Sequence, residues 1–145
     1  MNQEEQDLIF KDLCTRLPYG VKAYVKCWSK YRGKWIEDIY TVVSAEPRLN
    51  DIYVSNENGS VGVILKDSDY TIKPYLFPLS SMTEEQKKEC PVELSIINAF
   101  INGNIYLFED EELTVDEIIN MLDWFNKNHF DYRGLIPMGL AEDAT

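Results

Sequence analysis

Any fold for this 145-residue chain must accommodate the run from Thr114 to Ala141, TVDEIINMLDWFNKNHFDYRGLIPMGLA, which holds its clearest helical period and densest aromatic cluster. Thr114 and Glu117 have the spacing of a capping box, in which each side chain takes up an orphan backbone N–H at a helix start. A helix is predicted from Val115, with Val115, Ile118, Ile119, Leu122 and Phe125 recurring at three- and four-residue steps on one face. That face is expected to be buried, at roughly 1.5–3 kcal/mol per large apolar side chain removed from water. Asp116 and Glu117 at its start and Lys127 at its end suit the helix dipole. After Asn128 the period is lost, and HFDYRGLIPMGLA reads as a return segment packing Phe130, Tyr132, Leu135 and Ile136 onto the same core. In it, Asp131, Tyr132 and Arg133 make a polar-aromatic turn. Arg133 is a candidate to pair with Asp131 or with a carboxylate across the fold, as a structural clamp or as a partner contact.

The length suits one domain, residues 1–145, divided into a helix-plus-strand half (1–79) and a helical and hairpin extension (80–145) packed on it. A hydrophobic content of 45% with 12% aromatics excludes a disordered chain. No apolar run approaches the ~20 residues that span a bilayer, so no membrane partner is expected. MNQEEQDLIF carries acids where a secretion signal needs positive charge, which points to the cytoplasm. Cys14, Cys27 and Cys90 are odd in number and widely spaced, which fits reduced thiols better than disulfides or a zinc site.

The first element is expected to be a helix from Gln3 to Arg16, capped by Asn2, with Leu8, Ile9, Leu13 and Leu17 as its apolar stripe. Leu17-Pro18-Tyr19-Gly20 ends it. Alternation then predicts a strand, Val21 to Trp28, whose antiparallel partner is Lys34 to Ser44. Short strands follow at Ile52 to Ser55 and Val61 to Leu65, around the hairpin signal in NENGS, and at Tyr70 to Lys73, closed by Pro74. Five short strands joined by hairpins suggest a bent antiparallel sheet or SH3-like small barrel, within an α+β fold. Thr83 and Gln86 form a second capping box, and a short helix runs to about Cys90 before Pro91. VELSIINAFI fits a buried strand or a buried helix alike. The Asn102-Gly103 turn tips it toward a hairpin, Val92 to Ile101 against Ile105 to Phe108.

Charge is unevenly spread: Leu13 to Ile36 holds six basic residues and no acid, whereas Glu84 to Thr145 holds fourteen acids and four bases. Such asymmetry can steer a charged partner or let two parts of one fold attract each other. The best candidate surface is the first strand pair, where Tyr24, Lys26, Trp28, Tyr31, Arg32, Lys34 and Trp35 mix cations with flat rings. Small barrels hold single-stranded nucleic acid with such a mixture. The acidic remainder of the chain disfavours a polyanion. On the plainer reading the tryptophans cover the sheet and the lysines line its edges.

No motif places a nucleophile beside His129, the single histidine, so catalysis would need a pair assembled by the fold, such as Cys90 with His129. His129 reads instead as a helix-end residue favoured by the C-terminal dipole. Neither Asp67 with Asp69 nor Glu109 to Glu112 follows a calcium-loop pattern, and no phosphate-binding glycine loop is present. No cofactor, metal or catalytic residue is therefore expected. The functional expectation is a non-enzymatic macromolecular interaction protein with an unidentified protein partner. Two alternatives are single-stranded nucleic-acid binding and an acidic nucleic-acid mimic, using Glu109 to Glu112, Asp116, Glu117 and Asp123 to occupy a basic host protein.

Three pieces, DLCTRLPYGVK, IKPYLFPLSSMTEEQKKE and LDWFNKNHFDYRGLIPMGLA, together resemble a family of short bacterial proteins from gut anaerobes with no assigned activity, some of them associated with prophages and other mobile elements. The resemblance covers about two fifths of the chain and implies a common frame with variable strands. It carries no catalytic or binding residue to this sequence.

Overall fold

The computed structural model of the protein describes residues 1–101 and 114–145. Helix α1 (Gln3–Arg16) begins at Asn2, whose side chain accepts the Glu5 N–H, and runs into a 3₁₀ turn at Leu17–Tyr19 closed by Gly20. Five strands follow: β1 (Lys22–Ser29), β2 (Lys34–Glu46), β3 (Asp51–Asn56), β4 (Gly59–Ile64) and β5 (Tyr70–Pro78). They form an antiparallel sheet in the order β4-β3-β2-β1-β5. A bulge between Val42 and Ser44 interrupts the long β2, as bulges do where a strand bends. Helices α2 (Glu84–Glu89), α3 (Leu94–Ile101) and α4 (Val115–Lys127) come next. Two short strands, β6 (Phe130–Asp131) and β7 (Glu142–Asp143), then add to β5 in parallel, giving seven strands among the described residues where five were expected in the sheet.

The fold is thus α+β, with a helix at the N-terminus, a bent sheet and an amphipathic helix near the C-terminus. Several expectations are corrected in detail. Strand β5 continues through Pro74, which pairs with Ala23. Pairing on the far edge of β5 begins only at Tyr75, so a residue without an N–H is tolerated there. The β3–β4 link is tighter than five residues, since Asn56 pairs with Gly59 and only Glu57 and Asn58 turn the chain. Leu94–Ile101 is a helix, not the first arm of a hairpin. The buried positions Val92, Ile96, Ile97 and Ala99 do not alternate, and Leu94 is half-exposed. Packing against Met121 and Phe125 has overridden the β-propensity of the isoleucines. The proposed turn and second arm, Asn102 to Phe108, lie outside the described residues.

Two hydrophobic clusters form instead of one. The first fills the inner side of the sheet with Ile9 and Leu13 of α1, strand residues such as Val25, Ile52 and Leu76, and Leu135, Leu140 and Ala141 of the return segment. The second joins Met82, Cys90, Val92, Ile96 and Ile97 to Met121, Phe125 and Phe130. The sheet is therefore covered by α1 and the return segment, while α4 packs on α3 and on Met82 and Cys90 at either end of α2. The return segment serves both clusters: Phe130 and Tyr132 belong to the second, Leu135 and Ile136 to the first. In α4 only the second half of the expected apolar face is buried. Val115 is 72% exposed and Ile119 50%, whereas Phe125 is fully buried. Among the described residues no helix is long and apolar enough to cross a membrane.

Candidate functional site

The residues expected to contact a partner are separated into three environments. On the outer face of the sheet, alternation brings Tyr24, Lys26 and Trp28 of β1 into register with Ile39, Glu37 and Trp35 of β2. The Trp28 and Trp35 rings meet edge-on at 5.6 Å between centroids. Lys26 Nζ sits 5.3 Å above the Trp35 ring, a cation–π arrangement. Lys22 donates to Thr41 at 2.6 Å, and Lys73 lies across from Tyr24 on β5. Trp35 and Ile39 are each 50% exposed, so they form an apolar ridge edged by lysines.

Two acids interrupt this face: Glu142 of β7, which lies 4.0 Å from Lys73 Nζ, and Glu37. The Tyr24 hydroxyl donates a short hydrogen bond to Glu37, and that bond with the adjacent negative charge pushes the tyrosine pKa up to about 12. Glu37 also stands opposite Lys26. Glu37 and Ile39 were not singled out from the sequence, although the two-residue period of β2 puts both on the Trp35 side. Tyr31 is almost fully exposed at the β1–β2 turn, beside an exposed Lys34.

Arg32 leaves this group for the other side. It is exposed and lines a cavity of about 500 Å3 with Cys27, Asp38, Tyr40, Asn58 and Ser60.

Asp131, Tyr132 and Arg133 belong to a third environment, a buried polar node. Asp12 and Arg16 lie one turn apart on α1 with no side-chain exposure, and Arg16 Nε donates to Asp12 at 2.9 Å. Arg16 also donates to the Phe130 carbonyl at 2.7 Å. Arg133 reaches the same carboxylate, 3.2 Å from Asp12 Oδ1, and donates to the Tyr132 hydroxyl at 3.1 Å. Both guanidiniums lie within 6 Å of the Tyr132 ring centre, at 5.6 and 4.9 Å. The Tyr132 hydroxyl in turn donates to Asn126 at 3.0 Å. Asp131 does not pair with Arg133. Its carboxylate accepts the backbone N–H groups of Leu135 and Ile136, both at 2.8 Å, closing a turn in which Gly134 has φ +75°.

His129 also adjoins the node. Asn128 caps α4 by donating from its side chain to the Trp124 carbonyl at 2.9 Å, so the expected role of His129 at the helix end falls to its neighbour. His129 has φ +60°, its carbonyl accepts the Phe77 N–H at 2.9 Å, and its buried Nδ1 has no partner among the described residues. Burial, reinforced by the Arg16 cation, holds its pKa below the ordinary value.

Asp12 and Arg16 were missed because the expected stripe of α1 was purely apolar. Their spacing with Ile9 and Leu13 places all four on one face, and that spacing was the available signal. The three thiols are free, and burial raises the pKa of each. No group of three metal-ligating side chains occurs among the described residues. Of the acids assigned to a nucleic-acid mimic, Asp116 and Glu117 occupy the first turn of α4, and Glu109 to Glu112 lie outside the described residues. No family model, curated protein or solved structure matches the chain.

Proposed function

We propose that the protein is a non-catalytic interaction module. In this reading β1 to β5 act as an SH3-like barrel body whose outer face binds an acidic-apolar segment of a protein partner. The observation that carries the proposal is the ridge of Trp28, Trp35 and Ile39 in register on that face, half-exposed and edged by Lys22, Lys26 and Lys73. Interface hot spots favour tryptophan because it removes much apolar area from water at small entropic cost. The lysine rim offers local pairing to acidic side chains of a partner, while the net charge of -11 opposes long-range attraction, so the apolar ridge carries the contact.

Glu37 weighs against a nucleic acid. It sits in the middle of the face, bonded to Tyr24, where a phosphate backbone would have to approach it. Lys26 already lies over one face of Trp35, and that leaves less ring for a base to stack on. The protonated thiols favour a non-catalytic reading, because a cysteine nucleophile works as thiolate.

The test is site-specific photocrosslinking in the native cell, with benzoylphenylalanine at position 35 or 39 and, as control, at the exposed Leu49 of the β2–β3 turn. The proposal expects one protein joined from 35 and 39 but not from 49, through a peptide rich in acidic and apolar residues. No adduct from the ridge, the same adduct from 49, or adducts with nucleic acid would each refute it.

A further inference from the structure

The cavity around Arg32 adjoins the open edge of the sheet. Strand β4 pairs with β3 along all six of its residues, and among the described residues no strand pairs with its other edge. Its sequence, GSVGVI, has no charge and no proline, the devices by which proteins normally protect such an edge from pairing. Ser60, Gly62 and Ile64 therefore face the open edge, where the Ile64 carbonyl already accepts the Asp67 N–H at 3.1 Å and Ser60 and Gly62 present their backbone groups to a partner.

At the Gly59 end of this edge the cavity is rich in donors. Asp38 is its one acid, and both carboxylate oxygens are engaged. Oδ1 accepts the Ile39 N–H at 2.8 Å, and Oδ2 accepts the Asn56 side-chain amide at 3.1 Å. The Arg32 guanidinium has no hydrogen bond or ion pair among the described residues. It stands unpaired beside the Tyr40 and Ser60 hydroxyls, with Asp38 as the one opposite charge in the same lining.

These features fit one ligand geometry. A peptide adding antiparallel to β4 runs from Ile64 toward Gly59, so its C-terminus arrives at the cavity. We infer that β4 and Arg32 form a binding site for the free C-terminal end of an extended peptide, with the backbone paired to β4 and the terminal carboxylate held by Arg32. Strand addition supplies affinity through main-chain hydrogen bonds, and the Arg32 cation selects the terminus. This site is on the opposite side of the sheet from the Trp28–Trp35 ridge, and it does not depend on the function proposed for that ridge.

The experiment is selection of phage-displayed random heptapeptides with free C-termini on the intact protein. An enriched sequence is then synthesised as acid and as amide. The acid is expected to bind at least about tenfold more tightly than the amide, as for a hydrogen bond to a charged group. Arg32→Gln should remove that difference while leaving the melting temperature unchanged, and binding should slow amide exchange along Ser60 to Ile64. Trp35→Thr should have no effect on this binding. The inference is overturned if no peptide is enriched, if acid and amide bind alike, or if protection falls on β1 and β2 instead of β4.

Discussion

At the scale of single residues, the arrangement at Asp12 is the most consequential. One buried carboxylate serves two guanidiniums, Arg16 fully buried and Arg133 slightly exposed, so the three substitutions are not equivalent. Asp12→Ala leaves two cations facing each other without a counter-charge and should cost about 3–5 kcal/mol, as for a broken buried pair. Arg133→Ala leaves the Asp12–Arg16 bond intact and should cost only about 1–2 kcal/mol. Urea denaturation of both variants checks the ranking, and equal losses would contradict it. His129 predicts a pH dependence. Its folded pKa lies below the ordinary value of 6.5, so above that pH both states are neutral and it contributes no slope. As pH falls from 6.5 through the folded pKa, the unfolded chain takes up a proton that the fold resists, and stability drops. The urea midpoint should therefore fall between about pH 7.5 and pH 5.5, and His129→Asn, which tolerates φ +60°, should flatten that slope. An unchanged slope in the variant would assign the dependence to other groups.

At the scale of elements, α4 separates what periodicity can state from what it cannot. The N-cap half of its capping box was read correctly, since Thr114 Oγ1 accepts the Glu117 N–H at 3.1 Å, but the Glu117 carboxylate accepts from the Thr114 hydroxyl at 3.2 Å rather than from its backbone N–H. Its apolar face was read as wholly buried, yet burial is set by neighbours, and only the turns from Met121 onward meet α3, Met82, Cys90 and Phe130. Ile119→Lys should accordingly change stability by less than about 0.5 kcal/mol, while Phe125→Ala should cost about 3–5 kcal/mol. Thermal or chemical unfolding of the pair checks this, and a comparable loss for Ile119→Lys would restore the buried face. The strands β1 to β5 were legible because alternation and turn residues agree locally. Helix α3 was not, because isoleucine-rich runs are compatible with both states and the decision came from distant partners. Strands β6 and β7, of two residues each, carry no period at all. Of the candidate site, the outer ridge was legible from alternation along β1. The departure of Arg32 to the inner side was not, because a turn residue has no face that sequence can assign.

At the scale of the whole molecule, the polar node and the outer ridge divide the labour. Residues far apart in sequence, Asp12 and Arg16 against Phe125, Phe130 and Arg133, tie α1 to the C-terminal segment. The return segment also pairs β6 and β7 with the C-terminal end of β5. Among the described residues the outer face of β1 and β2 is left uncovered, with Trp35 half-exposed on it. The Trp28–Trp35 contact contributes roughly 0.5–1.5 kcal/mol beyond area burial, so loss of one ring should lower the melting temperature by no more than a few degrees. Affinity for the crosslinked partner should respond far more strongly. The decisive measurement is the calorimetric affinity of that partner for Trp35→Thr against the wild type, each at matched fraction folded. The account predicts binding at least about thirtyfold weaker, as for an interface hot spot, and an affinity within about twofold of wild type would contradict it.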